Sequence, residues 1–140
     1  MVGSLASPIN RGLEQAPVAT TSEDRDEIRD LYARYCLYFD QGAAPDWAAM
    51  YTEDGEFVGS GQHIRGRQAL EEFLAALPAS TRHRITCNHV IDVDGDRAVC
   101  TSSVVLLDGG AIASSGRAVD QLRRVDGTWR IARREFTPDG

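Results

Sequence analysis

Residues 84–136 read RITCNHVIDVDGDRAVCTSSVVLLDGGAIASSGRAVDQLRRVDGTWRIARREF. Three turn signals punctuate the run: Asp94-Gly95-Asp96, Asp108-Gly109-Gly110 and Asp126-Gly127-Thr128. Asp-Gly between apolar-rich segments marks a tight hairpin, because the favoured two-residue turns need positive φ, which Gly supplies without steric cost. The run therefore predicts strands over 84–93, 97–107, 111–125 and 129–136, joined as an antiparallel meander.

Upstream, the period changes from two to 3.6. Thr21-Ser22-Glu23-Asp24 has the hydroxyls and early acids of a helix start. Ile28, Leu31, Tyr32, Tyr35 and Phe39 then recur at helical spacing, and Gly42 is a natural stop. A short helix is expected over 45–51. Thr52-Glu53-Asp54-Gly55 should turn the chain into a short strand at 56–58, with a second at 62–64. A third helix should start at Gly66, bury Ala69, Leu70, Phe73, Leu74 and Leu77, and end at Pro78. Helices first and strands after give an α+β class. One domain fits, over 21–140, and residues 1–20 read as a flexible arm. That arm lacks the basic start and apolar stretch of a signal peptide.

Composition narrows the function. Net charge is −6 and the sequence pI near 5.0, which argues against nucleic acid as a partner. All 15 basic residues are Arg, so no Lys Schiff base or pyridoxal phosphate attachment is expected. Cys36, Cys87 and Cys100 form no CxxC pair and lie among apolar residues; they read as reduced cysteines of a cytoplasmic protein. No close pair of ligands recurs to suggest zinc. No apolar run is long enough to span a membrane.

Two residues carry the candidate chemistry. Asp40 ends the first helix, and His83 opens the stranded half. A carboxylate on an imidazole fixes its tautomer and raises the basicity of the free nitrogen, which prepares a base for proton abstraction. With simple alternation, His83, Ile85, Cys87 and His89 share a strand face. Trp47 is expected to pack the short helix against a pocket mouth, and Phe57 to form a pocket wall. His63 should be exposed. Asp120 is expected to pair with an Arg of a neighbouring strand rather than face a cavity. Arg123, Arg124, Arg130, Arg133 and Arg134 form a basic stripe, expected to be salt-bridged or subunit-facing rather than an anion site.

These features together resemble the SnoaL-like branch of the NTF2-like superfamily, close to scytalone dehydratase, bile-acid 7α-dehydratase and hexachlorocyclohexane dehydrochlorinase. The landmarks are Ile28-Arg29-Asp30-Leu31-Tyr32, Phe39-Asp40 with Asp46-Trp47, Thr52-Glu53-Asp54-Gly55, Arg82-His83 and Val125-Asp126-Gly127-Thr128-Trp129. The resemblance implies a cone, in which a curved, mostly antiparallel sheet wraps three N-terminal helices around an internal pocket. It implies that Asp40 hydrogen-bonds His83, that His83 removes a substrate proton, and that Tyr35 assists. Tyr32, Trp47, Phe57, Cys87 and Ser102 are the expected substrate-binding residues. Ser102 stands where scytalone dehydratase has a second His; that enzyme's Ser and Asn on the fifth strand fall near Gly116 and Ala118. The bile-acid enzyme's late Arg falls near Pro138. The implied function is a cofactor-independent lyase or isomerase, dehydratase-like, acting on an apolar polycyclic or polyketide-like molecule, as a homodimer through the sheet. A polyketide cyclase, a ligand-binding module and a structural subunit like the dioxygenase β-subunits are the alternatives.

Overall fold

A computed structural model describes residues 21–140; the arm expected over 1–20 lies outside them. Helix α1 spans Thr21–Gln41 and α2 spans Ala44–Ala48. Strands β1 (Tyr51–Gly59) and β2 (Gln62–Arg65) precede α3 (Arg67–Ala76). The meander follows as β3 (Arg82–Asp94), β4 (Arg97–Asp108), β5 (Ala111–Val125) and β6 (Thr128–Pro138). The six strands form one sheet in the order β2-β1-β6-β5-β4-β3. All neighbours are antiparallel except β1 and β6, which run parallel.

The helices cover one face. Ile28, Leu31, Tyr32 and Tyr35 form the buried stripe of α1 that the spacing predicts. They join Trp47, Tyr51, Leu70, Ile91, Leu122, Trp129 and Ile131 in one core. At the N-terminal end, buried Asp24 accepts hydrogen bonds from Arg124 Nη1 at 2.8 Å and Trp129 Nε1 at 3.0 Å. The burial of Asp24 disfavours its charge, but these donors outweigh burial and hold the carboxyl below its ordinary range.

Two local departures from the expected layout matter. The strand predicted over 56–58 is nine residues long, because Thr52–Gly55 stay within β1 as an irregular stretch instead of turning. Tyr51 pairs with Ile131 while Glu56 pairs with Arg133, so the excess residues are looped out between them. More consequentially, β3 carries a bulge between Cys87 and Val90, with Asn88 in the left-handed region at φ 56°. A bulge inverts the alternation beyond it. His89, Ile91 and Val93 face the helices, but on the other side of the bulge Arg84 and Thr86 do. Thus His83, Ile85 and Cys87 lie on the opposite face from His89, correcting the shared face expected from simple alternation.

No helix among the described residues is long and apolar enough to cross a membrane. The three cysteines are free thiols.

Candidate active site

Where α1 ends, the helices and the sheet border a partly open cavity of about 360 Å³. Its walls include Phe39, Phe57, Phe73, Leu106 and Phe136, its rim Ser60, Gln62 and Ser114, and its polar lining Tyr35, Arg84 and Arg134. The Phe136 wall depends on two glycines. A Cβ on Gly116 would sit 2.5 Å from the Phe136 ring, and one on Gly59 would sit 2.8 Å from the Phe136 carbonyl oxygen.

Below the cavity lies a buried polar cluster. Asp120 is opposite Arg134 in the β5–β6 register. Asp120 Oδ2 accepts a hydrogen bond from Arg134 Nη1 at 2.6 Å and another from the Tyr32 hydroxyl at 2.5 Å. Its Oδ1 has no partner among the described residues. Burial pushes the Asp120 carboxyl up, while Arg134 opposes that shift. Asp120 and the neighbouring phenols keep Arg134 protonated against its own burial. The guanidinium lies over the rings of Tyr35 at 4.7 Å and Tyr32 at 5.6 Å. Tyr35 and Tyr51 share a hydrogen bond of 2.8 Å between their hydroxyls. Burial raises both phenols, and Arg134 offsets part of that rise. At neutral pH they are therefore proton donors, not bases. Burial and Asp120 push the Cys100 thiol up to about 12, which removes it as a nucleophile.

The expected Asp40–His83 hydrogen bond is not there. His83 Nδ1 stands 3.9 Å from Asp40 Oδ2, and the His83 side chain is 73% exposed. Asp40 instead accepts the backbone N–H of Arg84 at 3.0 Å and the Arg84 guanidinium at 3.1 Å. The bulge explains the exchange: it turns Arg84 inward beside Asp40 and sends His83 outward. The Arg84 guanidinium also rests 3.9 Å above the Phe39 ring. Asp40 thus ties the end of α1 to the start of β3.

The other expected residues divide. Tyr35 and Phe57 line the cavity. Tyr32 does not; it is fully buried against Asp120 and stacks on His89 at 5.4 Å. Trp47 is core, 1% exposed, with its ring against Tyr35, Phe39 and Tyr51, because α2 packs inward rather than at a mouth. Ser102 faces inward but is buried away from the cavity lining. Cys87 pairs with Ser103 on the uncovered face. His63 is exposed and meets Glu56 at 2.7 Å. His89 lies half-buried between α1 and β3 with Nε2 unpartnered. Burial first, then Arg29 and Arg134, lower its pKa and hold it neutral.

Arg134 is the residue the sequence reading missed. The rest of the basic stripe is paired elsewhere: Arg123 with Asp54 and Arg133 with Glu135 at the surface, Arg124 with buried Asp24 and exposed Asp96, while Arg130 donates to the Ala49 carbonyl. A β5–β6 bulge between Gln121 and Leu122 sets Asp120 opposite Arg134. Hairpin counting without that bulge would give Arg133, so the only available signal was an Asp placed mid-strand. A larger depression of about 520 Å³ holds Asp54, Glu56, Asp92, Asp94, Arg97, Arg123 and Arg133. It lies away from the phenols, and most of its cations are already paired. No group of three or more His, Cys, Asp or Glu among the described residues is placed to hold a metal ion.

Comparison with known proteins agrees with this architecture. The family model for the SnoaL-like domain matches residues 20–135. A variant of Rv3472, a protein of unknown function from Mycobacterium tuberculosis, is 37% identical, with a TM-score of 0.78 over 83% of this chain and 76% of that one. An NTF2-like protein with a cystatin-like fold from Novosphingobium aromaticivorans is 28% identical, with a TM-score of 0.79 over 85% and 84% of the two chains. A protein from the same organism, provisionally assigned as a scytalone dehydratase, shares the fold at 23% identity and a TM-score of 0.72, over 84% and 85%. No curated protein matches. With the family model covering most of its length, the chain belongs to the SnoaL-like domain family, on an NTF2-like α+β fold.

Proposed function

We propose that the chain is a cofactor-independent enzyme of carbon-acid chemistry on a small apolar molecule, a lyase or isomerase of the dehydratase kind. The observation that carries this reading is Arg134: a buried guanidinium with one side-chain hydrogen bond among the described residues, set in the lining of an apolar cavity beside the Tyr35–Tyr51 hydroxyl pair. A fixed, buried cation stabilises charge developing on a carbonyl oxygen better than water does, because it needs no reorganisation as the charge forms.

In this scheme a proton leaves the carbon next to a carbonyl, and the electron pair moves onto the oxygen held by Arg134. Asp40, one hydrogen bond behind cavity-lining Arg84 and not itself in the lining, receives the proton through a solvent water entering the open side of the cavity. For dehydration, the C–O bond at the β carbon then breaks. Tyr35 protonates the departing hydroxide, and Asp40 returns the proton to Tyr35 through solvent. The phenolate formed in passing is stabilised by the guanidinium over its ring. This moves the base from the expected His83 to Asp40. Enolate formation is also the first step of aldol cyclisation, so the cyclase alternative shares the same groups.

One observation favours a second reading, a ligand-binding protein without chemistry: among the described residues no carboxylate or imidazole lines the cavity. Hydrogen–deuterium exchange separates the two. Bicyclic ketones such as 2-tetralone, together with β-hydroxylated analogues, are incubated with the protein in D2O and followed by NMR. The enzyme reading expects accelerated loss of the α-proton signal for a ketone shown to bind. Binding without acceleration across the panel supports the carrier instead.

A further inference from the structure

We infer that the cavity binds a planar conjugated anion of one or two rings, a phenolate, enolate or carboxylate, with the charged oxygen on Arg134. This deepens the carbon-acid reading by naming the class of molecule, and its test reads binding alone.

Three observations converge. First, a guanidinium carries five N–H donors. Among the described residues Arg134 makes one side-chain hydrogen bond, to Asp120. Its other nitrogens are not among the buried polar atoms left without a partner, and the residue lines the cavity. The unspent donors are therefore open to an occupant. An anionic oxygen gains more from them than a neutral one, since charge-assisted hydrogen bonds are roughly twice as strong. Second, five aromatic rings surround the space: Tyr35, Phe39, Phe57, Phe73 and Phe136. Such walls suit a flat conjugated ligand. Third, about 360 Å³ lies near the low end of small-molecule sites, which span roughly 300–1,000 Å³. A molecule of one or two rings fills such a space with its charged end at Arg134. Polar Ser60, Gln62 and Ser114 stand at the rim and leave room there for a hydroxyl on the far ring.

The cation is also held for the purpose. A buried ion pair is weak as a stabilising device, and an apolar pair of similar volume often serves stability better. Here Asp120 leaves one oxygen unpaired and still fixes Arg134, with Tyr32 fixing Asp120 in turn. The arrangement orients a guanidinium toward the cavity at the expense of a satisfied carboxylate.

The test compares 2-naphthoate with its neutral isostere 2-naphthamide by calorimetric titration of the full chain. Naphthoate is expected to bind at least about tenfold tighter. Ser114→Trp, which plugs the exposed rim and leaves the buried pair untouched, should weaken naphthoate at least about tenfold. The paired variant Arg134→Met with Asp120→Asn should erase the preference for the anion. Equal affinity for the two probes overturns the inference. So does a preference that survives Ser114→Trp, which would place the anion on a surface arginine. If the paired variant does not fold, the isostere contrast and Ser114→Trp still decide. Anion-selective binding without any α-proton exchange would leave this site standing and remove the enzyme; exchange on neutral ketones without anion preference would do the reverse.

Discussion

Replacing Arg134 by Met isolates the energetics of the buried cluster. The side chains of Arg134 and Asp120 are 4% and 1% exposed, so the substitution strands a carboxylate where water cannot reach it. Removing one partner of a buried ion pair costs about 3–5 kcal/mol. For a domain of this size, with total stability of about 5–15 kcal/mol, the melting temperature should fall by roughly 10–25 °C. The loss should depend on pH with a definite sign. Burial already raises the Asp120 carboxyl above its ordinary 3.8, and the guanidinium that opposes this is gone in the variant. A carboxyl whose folded pKa exceeds its unfolded one contributes stability below the unfolded value and loses it as pH rises through the folded one. The deficit relative to wild type should therefore be small near pH 4.5 and full at pH 8. Adding Asp120→Asn removes the stranded charge while keeping an acceptor for Tyr32, and should recover most of the loss at pH 8. Thermal unfolding followed by circular dichroism at the two pH values measures all three proteins. An equal deficit at both pH values, or a double variant less stable than Arg134→Met, would show that no stranded Asp120 charge underlies the loss.

Gly116→Ala should cost about 1–3 kcal/mol in urea unfolding by overpacking, because the new methyl would meet the Phe136 ring and the Thr137 carbonyl at 2.5 Å. Asp24→Asn should cost about 1.5–3 kcal/mol at pH 7 through weakened bonds to Arg124 and Trp129. Because the Asp24 carboxyl is depressed, its contribution is present above pH ~4 and fades below it, so the gap to wild type should close as urea titrations move toward pH 2. The uncovered sheet face exposes Ile85, Val90, Val99 and Val119, and we expect a two-fold dimer there burying about 1,000 Å² or more. Light scattering at micromolar concentration should give twice the chain mass, and Val99→Arg with Val119→Glu should halve it.

The regular parts of the fold were legible because they obey simple periods. Ile28 to Tyr35 mark the buried face of α1, and each Asp-Gly turn falls at a strand junction of the meander. The site was harder to read because it is set by interruptions of period. Counting back in twos from Ile91 puts His83 on the inner face; the extra residue at Asn88 puts Arg84 there. Counting from the Asp126-Gly127 hairpin puts Asp120 opposite Arg133; the β5–β6 bulge makes it Arg134. A bulge costs little locally and has no strong residue signature, yet it decides which side chain meets which. Trp47 and Tyr32 were misplaced for a different reason. An aromatic at helical spacing reads the same whether it lines a cavity or fills a core, and only the packing of α2 and Asp120 separates those outcomes.

The most direct test of the account is the α-proton exchange rate of one bound bicyclic ketone, measured side by side for wild type, Tyr35→Phe, Asp40→Asn and His83→Ala. Accelerated exchange is expected in wild type and in His83→Ala, the latter within about threefold of wild type, because His83 faces away from the cavity. Asp40→Asn should slow exchange by about 10²-fold, the low end for a positioned acid–base group, whereas Tyr35→Phe, which acts only on the departing hydroxide, should leave ketone exchange within about threefold and slow elimination from a β-hydroxylated analogue instead. Abolished exchange in His83→Ala, with Asp40→Asn unaffected, would contradict this and return the proton transfer to the imidazole.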